Sequence, residues 1–91
     1  METISIRVYG RVQGVGFRYF TKLLADKMTI RGTVENKIDG SVKIIAQAEP
    51  DLLEAFLLEV KKSPAPYGKV TKTEVEKIQE NKEYTNFKVT N

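Results

Sequence analysis

Apolar and polar residues follow regular spacings along this chain, and these spacings predict its helices and strands. Residues 3–9 alternate, which predicts a half-buried strand with Ile4, Ile6 and Val8 on its inner face. From about residue 17 to residue 28 the apolar residues recur at helical spacing, which predicts an amphipathic first helix. Its predicted apolar positions are Phe17, Phe20, Leu23, Leu24 and Met28.

The middle of the chain predicts a hairpin followed by a second helix. Residues 32–36 and 42–46 alternate again, and the Asp39-Gly40 pair between them is a strong hairpin signal. Pro50 is favoured at the first position of a helix, so the second helix is expected to begin there. Its apolar stripe is Leu52, Leu53, Phe56, Leu57 and Val60.

The last third of the chain predicts two more strands after a proline-rich loop. Residues 70–78 predict a fourth strand with Thr73 and Val75 facing inward, and the uneven alternation of residues 74–78 suggests a bulge or a frayed end. Residues 81–83 predict a turn. Residues 84–90 predict a short last strand with Phe87 and Val89 on one side.

The predicted order is β-α-β-β-α-β with a small extra strand. Right-handed crossovers then give an α+β fold, the ferredoxin-like split βαβ sandwich, with an antiparallel sheet and both helices on one face. We expect the strand order 4-1-3-2, with strand 5 near an edge. No repeat or linker interrupts the chain, so residues 1–91 are expected to form a single domain.

Composition excludes several kinds of chemistry. The 91 residues are 41% hydrophobic and 30% charged and contain neither cysteine nor histidine. A thiolate nucleophile, a disulfide, a Ser-His-Asp triad and a His-ligated metal are therefore impossible. No apolar run is long enough to span a membrane and the N-terminus lacks the pattern of a signal peptide, so we expect a cytoplasmic protein without membrane contact.

The formal net charge of +3 is concentrated in one part of the chain. Residues 1–40 contain seven Lys and Arg against four Asp and Glu, whereas residues 41–91 contain eight of each. A small anion would therefore be attracted to the first part.

A glycine-rich stretch in that part, residues 10–18, separates the first strand from the first helix. A turn containing Gly14 and Gly16 can direct several backbone N–H groups at one point, which suits an anion. Arg18 lies at the start of the helix, where the dipole disfavours a cation unless it serves an anion. Asn36 ends the second strand, which runs parallel to the first in this topology, so both features are expected at one edge of the sheet.

These residues resemble the acylphosphatase signature in order and spacing. The resemblance is carried by Gly10-Arg11-Val12-Gln13-Gly14-Val15-Gly16-Phe17-Arg18, then Gly32-Thr33-Val34-Glu35-Asn36 and Asp39-Gly40-Ser41-Val42, and it extends over nearly the whole chain. It implies a hydrolase that cleaves the carboxyl–phosphate bond of acyl phosphates and releases inorganic phosphate.

The resemblance also implies the roles of individual residues. Arg18 and Asn36 are the expected catalytic residues, with Asn36 orienting the attacking water. The expected phosphate-binding residues are Gln13, Gly14, Val15, Gly16, Phe17 and Arg18. No metal, cofactor, membrane or nucleic-acid partner is expected, and a monomer is the simplest assembly.

Leaving-group chemistry agrees with this interpretation. An acyl phosphate releases a carboxylate whose conjugate acid has a pKa of about 4, so no general acid is needed. A phosphate ester releases an alkoxide, which ordinarily requires an acid or a metal. A site with one arginine and no histidine is therefore suited to cleaving the carboxyl–phosphate bond of an acyl phosphate and not a phosphate ester.

A non-catalytic binding module is the main alternative. RNA-recognition domains share this order of elements and stack bases on aromatic residues of the two central strands. The open face here is predicted to offer Ser5, Arg7 and Tyr9 on strand 1, with a single aromatic ring, and Ser41, Lys43 and Ile45 on strand 3. A phosphate-binding or maturation module that has retained the loop is a further alternative.

Overall fold

The computed structural model describes residues 1–79 and 81–91, and its elements follow the predicted order. They are β1 (Glu2–Arg11), α1 (Phe17–Lys27), β2 (Arg31–Asn36), β3 (Val42–Ala48), α2 (Pro50–Lys61), β4 (Lys69–Ile78) and β5 (Phe87–Thr90). Neither helix is long and apolar enough to cross a membrane.

The five strands form one sheet in the order β4-β1-β3-β2-β5. The predicted order is confirmed, and the β4, β1, β3 and β2 pairs are antiparallel as predicted. β5 adds to β2 in parallel, so the complete sheet is mixed. Because β1 and β2 both pair antiparallel with β3, they run parallel to each other. The loop after β1 and the last residue of β2 therefore lie at the same end of the sheet.

The core lies between the sheet and the two helices. The alternation predicted for β1 is confirmed, since Ile4, Ile6 and Val8 are buried while Ser5, Arg7 and Tyr9 are only partly covered. The largest buried side chains come from both layers, and removing them from water provides the main driving force for folding. They include Phe17, Phe56, Phe87, Ile6, Ile44, Val8 and Val60.

Four of the five apolar positions predicted for the first helix pack on the core, and Leu23 is the exception. The buried residues of α1 are Phe17, Thr21 and Ala25, which follow one another at intervals of four residues, while Leu23 is 46% exposed. Small side chains at the contact let the helix approach β2 and β5 closely. The larger Phe20, Leu24 and Met28 pack at the margins of this contact.

The edge strand β4 departs from the prediction in two details. Val75 lies opposite the buried Ile6 but is 45% exposed, because β4 forms the edge of the sheet. The register shifts between Tyr9 and Gly10, leaving Thr71 as the extra residue, so the irregularity lies at the beginning of β4 and not over residues 74–78.

The connection to β5 is an irregular segment and not the predicted turn at residues 81–83. The Gln47 side chain holds this segment, since its Nε2 donates to the Lys82 carbonyl at 3.0 Å and its Oε1 accepts from the Tyr84 N–H at 2.9 Å. Residues 85 and 86 then bend, so β5 begins at Phe87, later than predicted.

Candidate functional site

The loop between β1 and α1 leads through two left-handed glycines into the start of a helix. Gly14 and Gly16 both have φ of +76°, the left-handed conformation that glycine adopts without steric cost. Gly16 caps α1, and neither a side-chain cap nor an acidic residue accompanies the first turn. The first N–H groups of the helix are therefore available to an anion in the loop.

Gln13 connects this loop to the neighbouring hairpin. Its Nε2 donates to the carbonyls of Lys37 and Ser41, each at 2.8 Å. Both carbonyls belong to the β2–β3 turn, directly after Asn36. Gln13 was predicted as a phosphate-binding residue of the loop, and its side chain fixes the loop relative to Asn36.

Hydrogen bonds to polar side chains hold the hairpin itself in place. The Ser41 hydroxyl and N–H donate to the Asp39 carboxylate at 2.6 and 3.0 Å, and Arg7 donates to both Ser41 and Asp39. Donation by Ser41, followed by the charge of Arg7, lowers the pKa of Asp39 below its ordinary value. Asp39 therefore stays ionised and keeps these bonds at neutral pH.

Arg18 presents a positive charge at the start of α1. The side chain is half-buried, and its Nη1 donates to the Thr90 carbonyl of β5 at 3.3 Å. Within residues 1–79 and 81–91, none of the ion pairs includes Arg18. Its guanidinium is oriented by a neutral carbonyl, so its charge remains available to an anion.

Asn36 contributes an amide at the end of β2. Its backbone N–H donates to the Asn91 carbonyl at 3.1 Å, which places Asn91 beside it. The side-chain Oδ1 is buried and accepts no hydrogen bond from the described residues. Buried polar atoms are nearly always paired, so a water molecule or a ligand is the expected partner.

A cavity of about 330 Å³ lies between these elements. It contains every sequence-predicted site residue except Val15, which packs against the core. Phe17 lines the cavity although the residue as a whole is only 1% exposed. The cavity is lined by Val12, Gln13, Gly14, Gly16, Phe17, Arg18, Tyr19, Asn36 and Val89.

Three further residues, Val12, Tyr19 and Val89, line the cavity but were not predicted from the sequence. Tyr19 could have been found from its position beside Arg18 on the exposed side of the predicted helix. Val12 and Val89 carry no comparable signal, since Val12 is buried and Val89 reaches the cavity through the parallel pairing of β5 with β2.

A larger cavity, of about 450 Å³, lies at the opposite end of the sheet. It lacks the glycine loop, and two of its polar side chains already have partners. Gln47 binds Thr3, Lys82 and Tyr84, and Arg31 donates to the Tyr84 carbonyl. The smaller cavity is therefore the better candidate for chemistry.

The smaller cavity offers one guanidinium, one free amide oxygen and a set of backbone N–H groups. Among the described residues, none that lines the cavity is a carboxylate, and no cluster of three or more possible metal ligands is formed. These groups suit a phosphoryl group, whose transfer depends on positioning and charge stabilisation more than on covalent catalysis.

Comparisons with known proteins find similar proteins over nearly the whole length of the chain. The family model described as acylphosphatase matches residues 4–89. The chain is 46% identical over 89 residues to an acylphosphatase of Enterococcus faecalis, covering 98% of each chain. It is similar to the crystal structure of the acylphosphatase from Bacillus subtilis, with 38% identity, a TM-score of 0.94 and 100% coverage of both chains.

The same fold also occurs within a much longer protein. The crystal structure of T. kodakarensis HypF matches 100% of this chain with 28% identity and a TM-score of 0.88, but the match covers 12% of that chain.

Proposed function

The chain belongs to the acylphosphatase family and hydrolyses acyl phosphates, and from this premise we propose how its own residues carry out the reaction. The phosphoryl group of the substrate binds in the cavity at the start of α1. Backbone N–H groups between Gln13 and Arg18 and the Arg18 guanidinium hold its oxygens, and Asn36 orients the attacking water. The observation that carries this proposal is the position of Arg18 at the start of α1, where no side chain caps the helix and Arg18 forms no ion pair with the described residues.

Arg18 stabilises the charge on the phosphoryl oxygens. Its planar guanidinium can bind two oxygens at once, which a lysine ammonium cannot do. The bond from Nη1 to the Thr90 carbonyl orients the group before substrate arrives. Donors fixed in advance stabilise a transition state without reorganising, and each is worth about 3 kcal/mol.

Asn36 positions the nucleophile. A water bound to its free Oδ1 attacks phosphorus, the bond from phosphorus to the acyl oxygen breaks, and the electron pair leaves with the carboxylate. The water proton passes to a phosphoryl oxygen of the substrate, since the described residues that line the cavity include no carboxylate. The products are a carboxylate and inorganic phosphate, and the reaction requires no metal or cofactor.

The open face of the sheet does not favour the RNA-binding alternative. The Tyr9 hydroxyl donates to Glu74 at 2.9 Å, and the Lys72 ammonium lies 5.1 Å from the centre of the Tyr9 ring. A base would have to displace this cation to stack on Tyr9. We therefore propose that the chain acts without a nucleic-acid partner.

The first and last strands, β1 and β5, belong to one sheet, which supports a single domain over residues 1–91. We propose that this domain functions as a monomer in the cytoplasm.

Arg18→Ala tests the phosphate-binding role. We expect kcat/KM for benzoyl phosphate to fall at least about a thousandfold and competitive inhibition by inorganic phosphate to weaken strongly. Arg31→Ala, which alters an exposed arginine at the opposite end of the sheet, serves as the matched control. All assays contain a chelator. Unchanged inhibition by phosphate in Arg18→Ala would refute the role given to Arg18.

Asn36→Ala separates positioning of water from binding of phosphate. We expect kcat to fall about a hundredfold while inhibition by phosphate changes little, because the loop and Arg18 remain. Asn81→Ala, at an exposed position in the connection before β5, is the control. If Asn36→Ala abolishes phosphate binding or unfolds the protein, Asn36 has a structural role instead.

A further inference from the structure

Two partly exposed apolar side chains flank Arg18 at the mouth of the cavity. Tyr19 is 60% exposed and Val89 is 42% exposed, and both line the cavity. Neither contributes to phosphate binding as proposed above. Exposed apolar surface that borders a binding cavity gains free energy when a ligand covers it, so these residues are placed to contact the part of the substrate beyond the phosphoryl group.

Val89 is held in position by two cationic side chains of α1. Arg18 Nη1 donates to the Thr90 carbonyl at 3.3 Å, and Lys22 Nζ donates to the Phe87 carbonyl at 3.1 Å. These two bonds attach β5 to the helix on either side of Val89. The same guanidinium that serves the phosphoryl group therefore also fixes the apolar wall next to it.

Tyr19 forms the other wall. Its ring meets the Phe20 ring edge-on, with centroids 5.2 Å apart and an interplanar angle of 77°. Phe20 packs against the core, so the Tyr19 ring is supported from beneath. A supported aromatic ring contacts a flat or branched apolar group with little loss of conformational entropy.

Charge excludes a second anionic group from this region. Among the described residues that line the cavity, Arg18 is the one charged side chain. The phosphoryl group occupies it, which leaves no cation for a carboxylate or a second phosphate on the acyl chain. We propose that Tyr19 and Val89 form an acyl subsite that selects substrates with an uncharged apolar acyl group, aromatic or branched aliphatic, over small or anionic ones. This inference rests on the proposed function of the cavity.

The test compares three substrates: acetyl, benzoyl and succinyl phosphate. The quantity measured is the ratio of kcat/KM for benzoyl phosphate to that for acetyl phosphate, because a ratio cancels any general damage to the enzyme. We expect Tyr19→Ser to lower this ratio about tenfold through a higher KM for benzoyl phosphate. Tyr19→Phe keeps the aromatic surface and should preserve the ratio.

Two further variants complete the design. Val89→Thr replaces a methyl group with a hydroxyl at nearly constant volume, so we expect the ratio to fall about threefold without loss of folding. Leu23→Ser is the matched control, since Leu23 lies one turn after Tyr19, is 46% exposed and does not line the cavity. Its ratio should equal that of the unmodified protein.

The outcomes distinguish this inference from the proposed function. A ratio that is unchanged in both Tyr19→Ser and Val89→Thr, or a KM for succinyl phosphate as low as that for benzoyl phosphate, would overturn the acyl subsite alone. Failure of the unmodified protein to hydrolyse any of the three substrates would overturn the function of the cavity as well.

Discussion

Replacing Gln13 with alanine should separate the geometry of the site from its affinity for phosphate. The substitution removes two hydrogen bonds of 2.8 Å, to the carbonyls of Lys37 and Ser41. Each carbonyl keeps another donor, because the Gly40 N–H donates to Lys37 and the Lys37 N–H donates to Ser41. The substitution therefore loses two ordinary hydrogen bonds and leaves no orphaned acceptor.

The expected loss of stability follows from the number of hydrogen bonds removed. A neutral hydrogen bond contributes about 1 kcal/mol net, so the free energy of unfolding should fall by about 2 kcal/mol in Gln13→Ala. With a urea slope of about 1.5 kcal/mol/M, the unfolding midpoint should fall by about 1 M. Gln79→Ala, at an exposed position just after β4, should change the free energy of unfolding by less than about 0.5 kcal/mol.

The effect on catalysis should exceed the effect on binding. The loop keeps its own N–H groups and Arg18, so inhibition by phosphate should change less than about threefold. The loop is no longer tied to the hairpin that carries Asn36, and a misplacement of about 1 Å can cost about a hundredfold in rate. We therefore expect kcat for benzoyl phosphate to fall by about ten- to a hundredfold.

Steady-state kinetics with phosphate as inhibitor measure kcat and the affinity for phosphate, and urea unfolding measures the free energy of unfolding. A parallel loss of phosphate affinity and kcat would show that Gln13 acts in phosphate binding, as the sequence suggested. An unchanged kcat at the expected loss of stability would refute a positioning role.

Two further predictions concern stability. In Gly32→Ala the added Cβ would meet the Ile45 carbonyl oxygen at a φ of +146°, so we expect the free energy of unfolding in urea to fall by about 3 kcal/mol or more. Gly40 has a φ of +92° but open space around it, so Gly40→Ala should lower the free energy of unfolding by only about 1 kcal/mol. Equal losses in the two variants would contradict the steric argument. Because folding lowers the pKa of Asp39, its stabilising contribution is complete above an unfolded-state pKa of about 4 and is lost as the pH falls through the lower folded-state pKa. The difference in Tm between the unmodified protein and Asp39→Asn should therefore narrow between pH 7 and pH 3, and a constant difference would contradict this linkage.

Most of the fold could be predicted because alternation and turn signals depend only on residues a few positions apart in the sequence. Alternation in β1 identified its buried face, and Asp39-Gly40 identified the hairpin. The face of α1 was predicted less well, since burial of Thr21 and exposure of Leu23 depend on how closely the helix approaches β2 and β5. Hydrophobicity alone does not reveal that small residues lie at this contact.

The site likewise contains some residues that the sequence predicts and others that only the fold brings together. The glycine loop, Arg18 and Asn36 could be proposed from the sequence, because the residue types and the shared sheet edge follow from local pattern and topology, and the residue roles themselves await the experiments above. Tyr19 and Val89 could not be joined into one acyl surface, since nothing in their sequence positions brings them together.

By itself the sequence determined the order of elements, the exclusion of thiol and imidazole chemistry and the family signature. Only the tertiary structure decided the partners of Gln13, 24 and 28 residues away, and the carbonyl that orients Arg18, 72 residues away. Contacts over such separations form only when the strands pair into one sheet and β5 pairs with β2. No local spacing in the chain encodes them, because they depend on the packing of all the strands and helices at once.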